Sequence, residues 1–353
     1  MKKYEKQAIL KQLVYLTGLV IAGYIIFAPF FTAISEQDYF DIPIIDSEYT
    51  NLHALAVSKQ GKTHEFYIDG EFFFSTSDIS RFSESLVIPA LNLKKESLVD
   101  ILFLGYPCGY IIETLLNNID KFNIKLNSAD FAVADMAFKN YFEECSYISA
   151  QAAGALKNNK INYLDLDNWL SSKMGVSDKI PDNPDDYDYT NLFLRKTLSK
   201  YDLIFINSPD PINEKTQKWY DTEFYNLIKK VMKKNGLTAQ HITSPFFTPQ
   251  SLGIIESRIN SVFKDSIKIR TNIPSMGEWC FCFFQDHKID SDIFLNLQVQ
   301  GLKFLNKQSL SASLHFPKDK IEQIFKGNRG YKDELQKVFF KEWQEYVKMS
   351  DFD

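Results

Sequence analysis

The sequence predicts an α/β protein with a mainly parallel sheet, preceded by a small β domain and an N-terminal transmembrane helix. Three observations carry that reading. Apolar strand-like runs alternate with stretches of helical spacing over about 200 residues, the pattern of a parallel sheet covered on both faces. Before them, short strand-like runs surround an Asp69-Gly70 hairpin turn. At the start, no charged residue lies between Gln12 and Ser35.

Taken in order, Leu13–Ala33 (LVYLTGLVIAGYIIFAPFFTA) comes first. As a helix rising about 1.5 Å per residue it would span about 30 Å of hydrocarbon. Lys2, Lys3, Lys6 and Lys11 precede it, and Glu36, Asp38, Asp41 and Asp46 follow. Positive charge stays inside, so the expectation is a single pass in the cell membrane with the soluble part extracytoplasmic. Phe30, Phe31, Thr32 and Ala33 make a poor cleavage site, which favours an uncleaved anchor over residues 1–35 against a signal peptide.

Residues 36–90 read as a small β domain of strands and turns: Leu55–Val57, His64–Ile68, then Glu71–Ser75 after the hairpin. Residues 91–290 read as the α/β domain. Leu98–Leu104 (LVDILFL) is a strand ending at Gly105, with a helix from Ile111. Phe131–Val133 and Ile161–Leu164 are short strand candidates, and Asp202–Ile206 runs into a Ser-Pro-Asp-Pro turn. Glu223–Lys233 has helical spacing, capped by Lys234-Asn235-Gly236 before a strand at Leu237–Ile242. Pro181–Thr190 (PDNPDDYDYT) reads as a solvated loop, since its aspartates fit no calcium-loop spacing. Residues 291–353 form a helical extension, in which Leu335, Val338, Phe339 and Trp343 make one stripe that docks onto the domain.

Composition narrows function. A formal charge of -5 excludes a global basic field for nucleic acid, and four cysteines in 353 residues make no disulfide scaffold. With 45% hydrophobic residues, 30 Phe and 18 Tyr, the chain has ample material for a core. Cys280 and Cys282 share one face of a strand and read as packing. The five histidines form no metal motif.

Ligands of doubly wound α/β domains bind beyond the C-terminal ends of the strands. The candidates there are Gly105-Tyr106-Pro107-Cys108-Gly109, Asp135, Asp165 and the turn Asn207-Ser208-Pro209-Asp210-Pro211. Two glycines alone are a weak phosphate-loop signal. Asp210, held between two prolines, is suited to act as a general base or to bind an amine.

These residues, in this order, resemble the spermidine synthase (polyamine aminopropyltransferase) family, in its membrane-attached branch. The clearest stretch is YDLIFINSPDPINEKTQKWYDTEFYNLIKKVMKKNGLTAQHITSPFFTP (Tyr201–Pro249). YIDGEFFFSTSDISRFSESLVIPAL (Tyr67–Leu91), IPSMGEWCFCFF (Ile273–Phe284) and LKFLNKQSLSASLHFPKD (Leu302–Asp319) add to it. The resemblance implies a methyltransferase-like (Rossmann-like) fold. It also implies aminopropyl transfer from decarboxylated S-adenosylmethionine, a co-substrate rather than a bound cofactor, to an amine such as putrescine. A homodimer is allowed, and no metal is implied. By resemblance Asp210 takes the amine proton, and Gly105, Gly109, Asp135 and Asp165 hold the donor, Asp165 at the adenine amino group. Asp78, Glu84, Tyr220 and Gln240 fall where the family binds substrate.

Several positions depart from the family pattern. The loop aspartate is Cys108, the ribose-binding carboxylate is Val133, the gate Tyr-His is Phe82-Ser83, a nearby Gln is Phe73, and the first Asp of the turn is Asn207. Each lost hydrogen bond to a charged group is worth roughly 1.5–3 kcal/mol. The competing expectation is therefore a catalytically inactive relative that binds a polyamine, a nucleoside or a protein partner at the membrane.

Overall fold

A computed structural model describes residues 43–94, 96–173, 180, 181, 183–329 and 334–350. The predicted anchor lies outside the described residues; among those described, no helix is long and apolar enough to cross a membrane. The chain divides into two units, one of residues 1–48 and 54–73, the other of 49–53 and 74–353.

The first unit is built on a four-stranded sheet of β1 (Ile44–Tyr49), β2 (Ala54–Gln60), β3 (Thr63–Ile68) and β4 (Glu71–Ser75) in sequential order. Asp69 and Gly70 both take positive φ, 52° and 86°, the geometry of a type I′ hairpin. Tyr67 and Phe72 pack edge to face beside this turn.

The second unit begins its regular structure with helix α1 (Ile79–Leu93), followed by β5 (Leu98–Gly105), α2 (Gly109–Asn118) and β6 (Lys125–Val133). Next come α3 (Met136–Glu144), α4 (Ala150–Leu156), β7 (Asn162–Asp165), α5 (Leu166–Lys173) and α6 (Asp186–Lys196). Then follow β8 (Tyr201–Asn207), α7 (Thr222–Val231), β9 (Met232–Ile242), α8 (Pro249–Val262), β10 (Asp265–Ile273) and β11 (Gly277–Gln285). Four helices follow among the described residues: α9 (Ser291–Leu295), α10 (Lys307–Ser313), α11 (Lys318–Arg329) and α12 (Leu335–Ser350).

The strands form one sheet in the order β10-β11-β9-β8-β5-β6-β7. The five from β9 to β7 are parallel, and β11 and β10 extend the sheet antiparallel. The mainly parallel expectation holds. All seven residues of β8 are buried, as a strand covered on both faces requires. On one face Phe205, Phe103, Phe131 and Tyr163 form a row across four strands, with centroids 5.4–5.8 Å apart. The alternate residues Leu102, Leu104, Ile204 and Ile206 join Phe224, Ile228 and Ile255 in the main core.

Four sequence expectations need correction. Residues 79–93 are helical rather than part of a β domain, because every residue from Phe82 to Leu91 is buried and a helix satisfies their backbone groups internally. The helix expected to reach Lys233 stops at Val231, and β9 starts at Met232. There pairing with Tyr201 captures the backbone, and Lys233 bridges Asp100 and Asp202 at 2.5 and 2.7 Å. The loop reading of the aspartate-rich stretch fails from Asp186 onward, where α6 begins, capped by Asp185 in a reciprocal box with Asp188. The strand expected at Phe131–Val133 is nine residues long.

The C-terminal stripe docks as expected, with Leu335 and Phe339 buried and Trp343 stacked on Phe247. Glu342 adds a polar anchor, accepting from Gln250 N, Ser251 N and Ser251 Oγ at the start of α8.

Candidate active site

The chain runs from β5 to β6 on one side and returns through β8 on the other, so the sheet's switch point lies between β5 and β8. Gly105 and Asn207 are paired there. Gly105 sits at φ 87°, and a Cβ on it would lie 2.2 Å from the Asn207 carbonyl oxygen, so only glycine fits. That carbonyl accepts from Tyr106 N (2.8 Å), while Asn207 Nδ2 donates to the Tyr106 carbonyl (2.8 Å). Asn207, standing where the resemblance calls for an aspartate, therefore locks the loop. Gly109 opens α2 against α4, where a Cβ would meet the Ala152 carbonyl at 2.3 Å.

Downstream of Asn207, the Asp210 turn rests on a buried polar chain. Tyr220 donates to the Pro209 carbonyl (2.7 Å), and Ser208 donates to the Tyr220 oxygen (3.2 Å). Gln240 donates to Ser208 (3.3 Å) and accepts from Tyr225 (3.2 Å). Tyr220, Tyr225 and Gln240 are fully buried, while Asp210 is half-buried. Burial, and after it the charge of Asp210, pushes the Tyr220 phenol well up, so Tyr220 stays a neutral donor. The structure thus groups Asp210, Tyr220 and Gln240. Ser208, part of the candidate turn, and Tyr225 complete the group, and only the strand-turn-helix geometry identifies Tyr225.

The donor side differs. Val133, 1% exposed, ends β6 beside Asp165, with which it is in register. The half-buried Asp165 accepts from Asn168 N and Nδ2 at 3.3 and 2.6 Å. Cys108 precedes α2 with its thiol pushed up to about 11 by burial, hence neutral at pH 7. Asp135 is saturated: one oxygen caps α3 through Ala137 N and Phe138 N, the other takes Thr50 Oγ1 and Leu52 N. It thereby anchors the strap that carries Thr50 and Leu52. The strap continues to His53, whose ring packs edge-on to Tyr106 (5.2 Å) and tilted on Phe138 (5.6 Å), with Nε2 2.6 Å from Asp186. Beneath Tyr106, a cavity lined by Phe103, Cys108, Phe205 and Asn207 measures about 10 Å³. Such a space holds about one water.

Asp78 and Glu84, expected at the substrate, each hold a turn of the chain in the structure. Asp78 accepts from Ser275 N (2.7 Å) and Oγ (2.8 Å). Glu84 accepts from the N–H groups of Lys303, Phe304 and Leu305 at 2.7–2.9 Å. Each carboxylate faces a turn whose donors would otherwise be orphaned. Phe82 packs edge to face on His241 and Phe281, Ser83 accepts from Thr114 (3.0 Å), and Phe73 lies in β4 of the other unit. Cys280 and Cys282 are buried packing residues on β11, and no metal cluster occurs among the described residues.

On the opposite face of β9 from Gln240, burial pushes His241 down to about 4. A histidine depressed below its unfolded value lends stability above about pH 6.5 and loses it as pH falls toward 4, here by roughly 3 kcal/mol. Denaturant titrations at pH 7.5 and 4.5 should show that loss, and His241→Phe should reduce it. An unchanged pH slope in the variant would remove His241 as its cause.

The family model of the spermine/spermidine synthase domain matches residues 189–293. A polyamine aminopropyltransferase of Oceanobacillus iheyensis is 28% identical over 315 residues, 88% of this chain and 56% of its own length. One from Leptospira interrogans is 26% identical over 332 residues, 94% of this chain and 60% of its own. The chain thus spans a little over half the length of these curated relatives. Among solved structures, spermidine synthase from Thermotoga maritima superposes with a TM-score of 0.62 at 17% identity, covering 80% of this chain and 87% of that one. A spermidine synthase in complex with the transition state analogue AdoDATO gives 0.59 over the same shares.

Proposed function

We propose that this chain, a member of the spermine/spermidine synthase family, takes an aliphatic amine at the Asp210 turn for aminopropyl transfer from decarboxylated S-adenosylmethionine. The observation that carries the reading is Asp210 itself, fixed between two prolines above the Tyr220–Ser208–Gln240 chain. An ammonium must lose a proton before its nitrogen can attack. Asp210 receives that proton. The amine lone pair then forms a bond to the carbon beside the donor's sulfonium, the carbon–sulfur bond breaks, and its electrons stay on sulfur as a neutral thioether. Positive charge at the amine and the sulfonium favours a carboxylate nearby, and the rigid turn holds one in place.

A second reading, amine binding without transfer, is favoured by the donor side. Val133 offers the ribose hydroxyls no acceptor, Cys108 supplies no charge, and Asp135 is consumed by the strap. One experiment separates the two. The full chain is titrated with putrescine by calorimetry, and methylthioadenosine release is followed with decarboxylated S-adenosylmethionine present. Binding with release supports the first reading, binding without release the second, and absence of putrescine binding removes both.

The membrane anchor belongs to the same proposal, carried by the uncharged stretch 13–33 and its flanking charges. A reporter fused after Asp353 should be active only outside the cytoplasm; a cytoplasmic signal reverses the orientation.

A further inference from the structure

A cavity of about 240 Å³ lies between α1, α2 and the segment 301–303, and none of Asp210, Tyr220 or Gln240 lines it. We propose that this cavity binds a small zwitterion of amino-acid size, its ammonium group on Glu113 and its carboxylate on Lys303.

The walls are built rather than incidental. Glu84, 5% exposed, fixes the backbone of Lys303, Phe304 and Leu305 with three hydrogen bonds, so the segment that roofs the cavity is held in place. In the cavity wall Lys121 donates to Asn118 Oδ1 (2.8 Å) and reaches the Gln300 carbonyl at 3.5 Å. Lys121 is thereby engaged, which leaves Lys303, of the two lysines lining the cavity among the described residues, to meet a ligand. Between the two helices Thr114 donates to Ser83, whose own hydroxyl turns to the Ser80 carbonyl. The Thr114 oxygen keeps its acceptor capacity toward the cavity.

The charges select the ligand. Glu113 is half-buried and makes no hydrogen bond or ion pair with the described residues. Burial raises its carboxyl, and the Lys303 ammonium acts in the opposite sense through space. The two groups form no ion pair with each other, so a molecule bearing both charges can bridge them. A dication would oppose Lys303, and a plain anion would oppose Glu113. At about 240 Å³ the cavity falls below the roughly 300–1,000 Å³ of sites for larger organic ligands, which suits a compact ligand rather than a nucleoside.

The test is calorimetric titration of the full chain in detergent with glycine, serine and γ-aminobutyrate, and separately with butylamine, butyrate and putrescine. At least one zwitterion should bind 10-fold or more tightly than butylamine and butyrate. Glu113→Gln and Lys303→Met should each weaken it 10-fold or more, with the thermal midpoint retained, while Asp210→Asn leaves it unchanged. The Asp210→Asn arm also separates this site from putrescine binding at the turn, so either site can fail alone. No zwitterion binding by about 10 mM, or binding indifferent to both cavity variants, overturns the proposal.

Discussion

Asp210→Asn is expected to lower aminopropyl transfer by about 10²–10⁴-fold while leaving the fold intact. The substitution keeps the size of the side chain and removes its basicity. The hydrogen bonds beneath the turn run through Tyr220, Ser208, Gln240 and the Pro209 carbonyl, and the flanking prolines hold the backbone. The loss should therefore appear in kcat, with the denaturation midpoint close to that of the parent. It should also flatten the acid side of the pH–rate profile, because the group that must be ionised is gone. Transfer that is indifferent to the change would take Asp210 out of the mechanism.

Restoring the donor side should have the next largest effect. Val133→Glu with Cys108→Asp is expected to tighten methylthioadenosine binding by about 3–4 kcal/mol, several hundred-fold. The introduced glutamate would supply the acceptor that the ribose hydroxyls lack, and the introduced aspartate would replace a neutral thiol at the start of α2. The single change Val133→Glu should recover only part of this. Its carboxylate would stand beside Asp165 at a position 1% exposed, so burial and like charge oppose it until a ligand arrives. Stability measured in parallel separates misfolding from a failure to bind. With the fold retained, no gain in affinity would mean that the His53–Tyr106–Phe138 rings occupy the nucleoside's place. Amine binding without transfer would then be the reading that stands.

The contrast between the two sides of the site follows from what a local sequence can encode. The strands β5 and β8 were legible because both are nearly continuous apolar runs, and Gly105 and the Ser-Pro-Asp-Pro turn mark their ends. The mainly parallel sheet and the docked C-terminal helix follow from patterns within a few tens of residues, whereas Tyr220 and Gln240 were named only through the family resemblance. Burial sets those patterns, since each apolar side chain needs only a covered face rather than a particular partner.

What only the tertiary structure decided is where the carboxylates spend their oxygens. Asp135 is a capping residue by type, but its bonds to Thr50 and Leu52 come from 85 and 83 residues away. Asp78 meets Ser275, and Glu84 meets residues 303–305, across about 200 residues of chain. The end of α7 belongs to the same class, because pairing with Tyr201 turns Met232–Gly236 into strand where local spacing reads as a helix and its cap. A buried carboxylate or backbone N–H needs a specific partner in a specific direction, and that partner exists only once the fold has brought distant segments together. The sequence therefore determined which acids could do chemistry, and the packed fold decided that Asp210 remains at the turn while Asp78, Glu84 and Asp135 hold the structure.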